Sequence, residues 1–311
     1  MRSAAAWRLR RSPERRPGST VAFERDTPGA SPALGTSVRD ALDGAVTAIA
    51  AAGCPTPRLD AEVLLANVLG VGRERLLIDG GLTVAGPAVR AFQDAVRRRA
   101  VEREPVAYIV GSRAFRSLEL AVDRRALIPR PETELLVEVG LGLAPGARVL
   151  DLGTGCGAVA LALKDERPDL RVSASDISED ALELAALNAE LLRLDVTWLH
   201  TDLLTGLGEF DAILANLPYV AESERAKLAP EILRHEPARA LFAGPDGLSV
   251  IRGLLAELAE RPSVRLLALE VGAGQAQEVA ELIRMAAFDA VRFERDLARI
   301  QRVVIAERHA R

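Results

Sequence analysis

The run Asp151-Leu152-Gly153-Thr154-Gly155-Cys156-Gly157 follows a short apolar stretch and precedes a helical one. Glycines in such a place let the chain turn sharply and let a ligand approach with no Cβ in the way. In open α/β sheets, ligands bind beyond the carboxyl ends of the strands. The spacing is G-x-G-x-G rather than the dinucleotide G-x-G-x-x-G, and the carboxylate of Asp151 stands directly before it. That carboxylate would repel a pyrophosphate and suits a cationic group, such as an ammonium, met directly or through water. Asp176 ends the next apolar run, about 19 residues past Gly157, where an acid can accept hydrogen bonds from both hydroxyls of a ribose. The competing reading is a helix cap, a role that Ser178 could fill instead. A third acid, Asp202, with Leu203 beside it, ends the third run and would reach the base. Three acids at three successive strand ends argue for a nucleoside-bearing ligand more strongly than the glycines do alone.

The fourth run ends in Asn216-Leu217-Pro218-Tyr219. This resembles the [N/D]-P-P-[Y/F] motif of methyltransferases that modify planar nitrogens, namely exocyclic amines of bases and side-chain amides. Such nitrogens are poor nucleophiles because the lone pair is delocalised into the π system. The Asn216 side-chain oxygen and the Leu217 backbone carbonyl can each accept one N–H, which orients the nitrogen and raises its electron density. Tyr219 can pack on the flat face of the group. A plain strand-to-loop turn would also use Asn and Pro, but not beside a glycine loop with three acids.

To bring these strand ends together the chain must build a largely parallel sheet. Apolar runs at 148–152, 171–175, 196–200, 211–215, 266–270, 290–294 and 302–306 alternate with helical stretches such as 179–192 and 248–259. That is the pattern of an α/β domain with helices on both faces, here expected over 132–311. The last two runs are separated by too few residues for a crossover helix, so they should pair antiparallel. Ahead of this domain, 104–131 reads as a β-hairpin linker, because Val106, Tyr108 and Val110, then Leu118, Leu120 and Val122, alternate around Gly111. Residues 37–103 read as a helical module. Ser37 caps a helix carrying Val38, Leu42, Val46 and Ile49; further helices follow Pro57, Arg73 and Pro87. Residues 1–36 carry Arg2, Arg8, Arg10, Arg11, Arg15 and Arg16 among Pro, Gly and Ser. They bury too little apolar surface to offset their ordering entropy and read as a disordered extension. An organelle leader is the alternative, against which Glu14, Glu24 and Asp26 count.

The chain has 311 residues, 49% apolar and 27% charged, with a net charge of −4. That is room for two globular domains and no signature of a general nucleic-acid binder, which would be basic. No apolar run approaches the roughly 18–20 residues of a spanning helix, so no membrane partner is expected. Cys54 and Cys156 lie in different segments without metal spacing, which fits a reduced, cytoplasmic setting. His200, His235 and His309 are scattered and form neither a zinc pattern nor a triad; no metal is expected.

The flanking sequence narrows the class. Ile128-Pro129-Arg130-Pro131-Glu132-Thr133-Glu134 resembles the I-P-R-P-E-T-E signature of the release factor glutamine N-methyltransferases, the PrmC/HemK family. Arg103-Glu104-Pro105-Val106-Ala107-Tyr108-Ile109 with Gly111 and Phe115 is similar to its R-E-P-x-x-Y-I…G…F segment. Pro57 to Leu65, Glu236-Pro237, Ala240-Leu241-Phe242, Gly244 to Leu248, and the ending through Asp296 and Arg302 fit as well. The resemblance implies a class I methyltransferase with a Rossmann-like seven-stranded sheet, its last strand antiparallel, behind a small helical domain. It implies methyl transfer from S-adenosylmethionine to the glutamine side-chain amide of the Gly-Gly-Gln motif in class I peptide chain release factors. By that resemblance Asp151, Gly153, Thr154, Gly155, Cys156, Gly157, Asp176, Asp202, Leu203 and Asn216 hold the donor. Asn216, Leu217, Pro218 and Tyr219 orient the acceptor, Phe115, Pro129 and Arg130 wall its entrance, and the helical module grips the release factor.

Two positions depart from the family pattern. Leu217 stands where the family has Pro, and Leu203 stands where some members have an aromatic residue to stack on adenine. The form N-L-P-Y also occurs in ribosomal RNA adenine dimethyltransferases, which keeps an alternative: methylation of an exocyclic amino group of adenine or cytosine in RNA or DNA. The acidic balance and the 128–134 segment argue against it. A non-catalytic module that senses the donor is a third reading, opposed by the intact acids and acceptor motif.

Overall fold

The computed structural model describes residues 35–79 and 81–308. The expected disordered extension lies outside these apart from its last two residues, as does His309. Thr36 belongs to a short strand, β1 (Thr36–Ser37), paired antiparallel with β2 (Thr83–Val84). The Ser37 hydroxyl accepts the Asp40 N–H at 3.1 Å and caps α1 (Val38–Ala51), which removes one orphan donor of the first turn. Helices α2 (Pro57–Leu69), α3 (Arg73–Ile78) and α4 (Pro87–Ala100) follow. Prolines open α2 and α4, where a missing N–H costs no helical bond. Ile49, Leu64, Leu65 and Phe92 centre a separate small core for this module.

Residues 106–110 are not the strand their alternation suggests. They form a helical turn, α5 (Val106–Val110), in which the Tyr108 and Ile109 N–H groups donate to the Pro105 carbonyl and left-handed Gly111 closes the turn. The same spacing serves a helix: Val106, Ile109 and Val110 fall on one side and pack toward the module's core, while Tyr108 enters the core of the α/β domain. The Tyr108 hydroxyl donates to the Ala126 carbonyl at 2.7 Å. The hairpin is therefore shorter than expected, β3 (Ser112–Phe115) with β4 (Leu118–Ala121).

After α6 (Glu134–Leu141), the chain alternates β5 (Arg148–Leu152), α7 (Ala158–Glu166), β6 (Arg171–Asp176), α8 (Glu179–Leu192), β7 (Thr197–His200) and β8 (Ala212–Ala215). Then come α9 (Pro230–His235), α10 (Ser249–Leu258), β9 (Leu266–Glu270), α11 (Ala276–Met285), β10 (Ala290–Arg295) and β11 (Gln301–Glu307). The seven strands order as β10-β11-β9-β8-β5-β6-β7. Strands β5 to β9 pair parallel, and β11 runs antiparallel to both neighbours. This is the sheet of a class I methyltransferase.

Side chains alternate between two cores, as the two-residue strand period demands. Val149, Ala212, Leu214, Ala268, Val303 and Ile305 face one side. Leu150, Ile213, Ala215, Leu267, Leu269 and Val304 face the other. The order reverses at β5: β6 and β7 continue one way, β8 and β9 the other. Ligands of open sheets bind at such a switch point, which here sets the loop after β5 beside the loop after β8. Among the described residues no helix is long and apolar enough to cross a membrane.

A buried ion cluster ties the helical module to the segment beyond β8. Arg99, 4% exposed, reaches Asp60 of α2 at 2.7 Å and Glu231 of α9 at 3.0 Å, and Arg103 grips both oxygens of Glu231 at 2.9 Å.

Candidate active site

The glycine loop is held against the sheet by backbone bonds. The Gly153 and Thr154 N–H groups donate to the Ser175 carbonyl at 2.8 and 2.9 Å. Gly153 sits at φ +74°, and a Cβ there would lie 3.2 Å from the Leu217 side chain, so glycine is what lets the two loops touch. Gly157 is closed in on its own side: a Cβ would meet Leu161, Ala185 and Trp198 at 3.0–3.3 Å.

Asp151 is only 2% exposed. Its Oδ2 accepts the Thr154 hydroxyl at 2.6 Å and the Ala160 N–H at 3.0 Å, and burial raises its pKa to about 6. The carboxylate thus braces the loop as well as lining the cavity, and any ligand contact falls to Oδ1. Asp176 accepts the Gly155 N–H on Oδ2 and the Ser178 N–H on Oδ1, each at 2.9 Å, and burial raises its pKa. Ser178, not Asp176, caps α8 through the Ala181 N–H. Asp202 is exposed, and Leu203 beside it turns through a left-handed φ of +47°.

Beyond β8, the Asn216 side-chain nitrogen donates to the Thr133 hydroxyl at 3.1 Å. That hydroxyl donates to Glu270 at 2.6 Å, and the Tyr219 hydroxyl stands 3.5 Å from the other Glu270 oxygen. Glu270 is 2% exposed, and burial raises its pKa to about 7. Burial likewise raises Tyr219 to about 12, with the nearby Glu270 charge adding to it. Leu217 is buried, with its side chain over Gly153.

One cavity of about 610 Å³ is lined by Asp151, the loop 153–156, Asp176, Asp202, Leu203, Asn216, Leu217, Pro218, Pro129, Arg130 and Thr133. That volume lies in the usual small-molecule range of roughly 300–1,000 Å³. Gly157 and Tyr219 are not among the lining residues. Cys156 contributes a buried side chain whose thiol is pushed up to about 12 by desolvation, so it is an inert wall.

Phe115 is not at the entrance. It is 1% exposed and belongs to the core of the α/β domain. The wall also includes Pro237, Ala238, Arg239, Phe242 and Val250, which no site motif in the sequence marks. Glu236, buried next to them, accepts Arg130 at 2.6 Å and the Ile128 N–H at 3.3 Å, and so fixes the 128–130 rim. Glu270 carries a sequence signal of its own: like Asp176, Asp202 and Asn216, it ends or follows a strand at the carboxyl edge of the sheet. Among the described residues no His/Cys/Asp/Glu cluster could hold a metal ion.

The chain matches the family model of the PrmC N-terminal domain over residues 40–111 and that of the methyltransferase small domain over 131–251. It is 41% identical over 277 residues to the release factor glutamine methyltransferase of Deinococcus radiodurans, covering 87% of this chain and 98% of that one. It is 46% identical over 232 residues to that of Mycolicibacterium smegmatis, covering 71% and 79%. Among solved structures it is similar to the hMettl16 catalytic domain in complex with MAT2A 3′UTR hairpin 6. The TM-score is 0.52 at 16% identity, over 72% of this chain and 82% of that one, a likeness of fold alone.

Proposed function

Because this chain belongs to the release factor glutamine methyltransferase family, we propose that it methylates the side-chain amide nitrogen of the Gly-Gly-Gln glutamine in class I peptide chain release factors, with S-adenosylmethionine as donor. The observation that carries this reading is that Asn216 and the strand-end acids Asp176 and Asp202 face one cavity.

The residues present fit that donor. Gly153 and Gly155 present backbone with no Cβ, and Asp176 keeps lone pairs on both oxygens for two ribose hydroxyls. Asp151 Oδ1 suits the ammonium, and Leu203, Phe242 and Val250 give adenine an apolar slot with Asp202 at its edge. When bound, the donor supplies a methyl group activated by its sulfonium. Asn216 and Leu217 supply the complementary part: the Asn216 side-chain oxygen and the Leu217 carbonyl accept the two N–H groups of the glutamine amide and hold its nitrogen in line. Holding reactants in attack geometry contributes on the order of 7–11 kcal/mol, and dipoles already fixed at the nitrogen need no reorganisation. No strong base is called for, since the alkylated amide is acidic and sheds its proton to water. Pro129, Arg130 and Pro218 shape the entrance, and Tyr219 supports it from behind. The helical module 37–103 holds the release factor away from the glutamine, its position set by the Arg99–Glu231 cluster.

Incubation with the methyl donor and either a release factor or an RNA, followed by mass spectrometry, tests the reading. We expect one added methyl on a single glutamine and none on the RNA. Methylated RNA with an unmodified release factor would overturn it in favour of an exocyclic amine.

A further inference from the structure

We propose that Thr133 and Glu270 are positioning residues that dictate which end of the Asn216 amide faces the cavity. This rests on the acceptor role of Asn216 given above.

The argument is one of donors and acceptors. Glu270 closes β9, 2% exposed, with Thr133 on one oxygen at 2.6 Å and Tyr219 near the other at 3.5 Å. An ionised carboxylate only accepts. Thr133 has a single hydroxyl proton, and Glu270 takes it. The Thr133 oxygen can then only accept from Asn216, at 3.1 Å, which requires the amide nitrogen, Nδ2, on that side. The Asn216 oxygen is left pointing away from Thr133, free to receive a substrate N–H. Without the carboxylate, Thr133 could donate instead, and the amide could turn its nitrogen toward the substrate. An N–H facing an N–H repels the acceptor. The three groups come from far apart in the chain, at 133, 216 and 270, yet converge beside the cavity, whose lining includes Thr133 and Asn216 but not Glu270.

The other charges facing Glu270 are Glu132 and Arg130 from the 128–134 segment, and Arg302 from β11, itself paired with Asp296 at 2.9 Å. Glu132 raises the Glu270 pKa, while both arginines and the Thr133 bond lower it; burial outweighs them and leaves it at about 7. Protonation then frees the Glu270 oxygen to donate toward Thr133 and undoes the ordering. Turnover should therefore fall as pH drops through about 7.

The test is the pH profile of kcat on a release factor for the wild type, Glu270→Gln, Thr133→Val and Thr133→Ser, with donor affinity measured by calorimetry. We expect Glu270→Gln and Thr133→Val to lose roughly tenfold or more in kcat, with donor Kd within about twofold of wild type. The acid limb near pH 7 should vanish in Glu270→Gln, and Thr133→Ser, which keeps the hydroxyl, should restore most of kcat. A role in packing alone would not move that limb. A wild type that methylates the release factor, with both Glu270→Gln and Thr133→Val at normal kcat or with the acid limb unmoved in Glu270→Gln, overturns the relay alone. A wild type that leaves every release factor unmodified overturns the functional reading and the relay with it.

Discussion

The two halves of the cavity are built in opposite ways. On the side proposed for the donor, Asp151 and Asp176 are held by groups close in sequence or in the loop after the adjoining strand: the Thr154 hydroxyl, and the backbone N–H groups of Ala160, Gly155 and Ser178. On the acceptor side, Asn216 is held by side chains alone, through Thr133 to Glu270. Backbone donors are fixed by the fold and tolerate many sequences around them. A side-chain network has to be satisfied at every member, because the low local dielectric makes each unpaired group costly. The donor half is thus a scaffold property, and the acceptor half depends on particular residues.

The sharpest way to break this contrast is Asn216→Ala. In the proposed reading the substitution removes a polar group whose main contacts are with the acceptor, so kcat should drop by about 10²–10³, the usual cost of one preorganised group. Calorimetry with the donor alone should give a nearly unchanged Kd. A large loss of donor affinity would mean that the two halves are not separable.

Asp176→Ala probes the other side and should cost less. Hydrogen bonds to a charged group contribute about 1.5–3 kcal/mol, which predicts a donor Kd weakened by roughly 10–100-fold. The release factor KM should change little. Because the Gly155 N–H loses its acceptor as well, Asp176→Asn, which keeps an acceptor oxygen, should recover part of the affinity. An unchanged Kd in Asp176→Ala would contradict the ribose role.

The same contrast explains what could be read from the sequence. The positions proposed for the donor could be located because they sit at fixed places relative to strand ends: the loop after β5, the acid closing β6, the acid after β7. Hydrophobic period and glycine chemistry locate those places without knowledge of contacts. The seven strands and their antiparallel end were legible for the same reason. On the side proposed for the acceptor, local pattern reaches only residues 216–219. Thr133 bonds Asn216, 83 residues away, and Glu270, 137 residues away, and no local pattern encodes such meetings. Phe115 failed for a related reason. An aromatic residue in a segment resembling the family's motif could face a site or a core, and only the hairpin's packing decides for the core. The 106–110 turn failed because a five-residue stretch satisfies both periods, and Pro105 and Gly111 tipped it to a helix.

The smallest expected effect comes from Leu217→Pro, at the place where the halves touch. The acting group at 217 is a backbone carbonyl, which proline keeps, and the residue before a proline is held in extended backbone, as the end of a strand already is. Turnover should therefore stay within about threefold of wild type, since positioning is preserved and no donor contact is lost. Stability should change slightly and in two directions. Proline stiffens the unfolded chain, worth about 0.4–1 kcal/mol. Against that, the leucine side chain that now covers Gly153 is lost, and an imperfect hydrophobic exchange of this kind costs up to about 1.5 kcal/mol. The packing loss should win narrowly, lowering Tm by roughly 2–4 °C at most. A tenfold fall in kcat with an unchanged Tm would show that the acceptor uses the Leu217 N–H or side chain. The acceptor half would then extend over the glycine loop, and the division between scaffold and side-chain network would no longer hold.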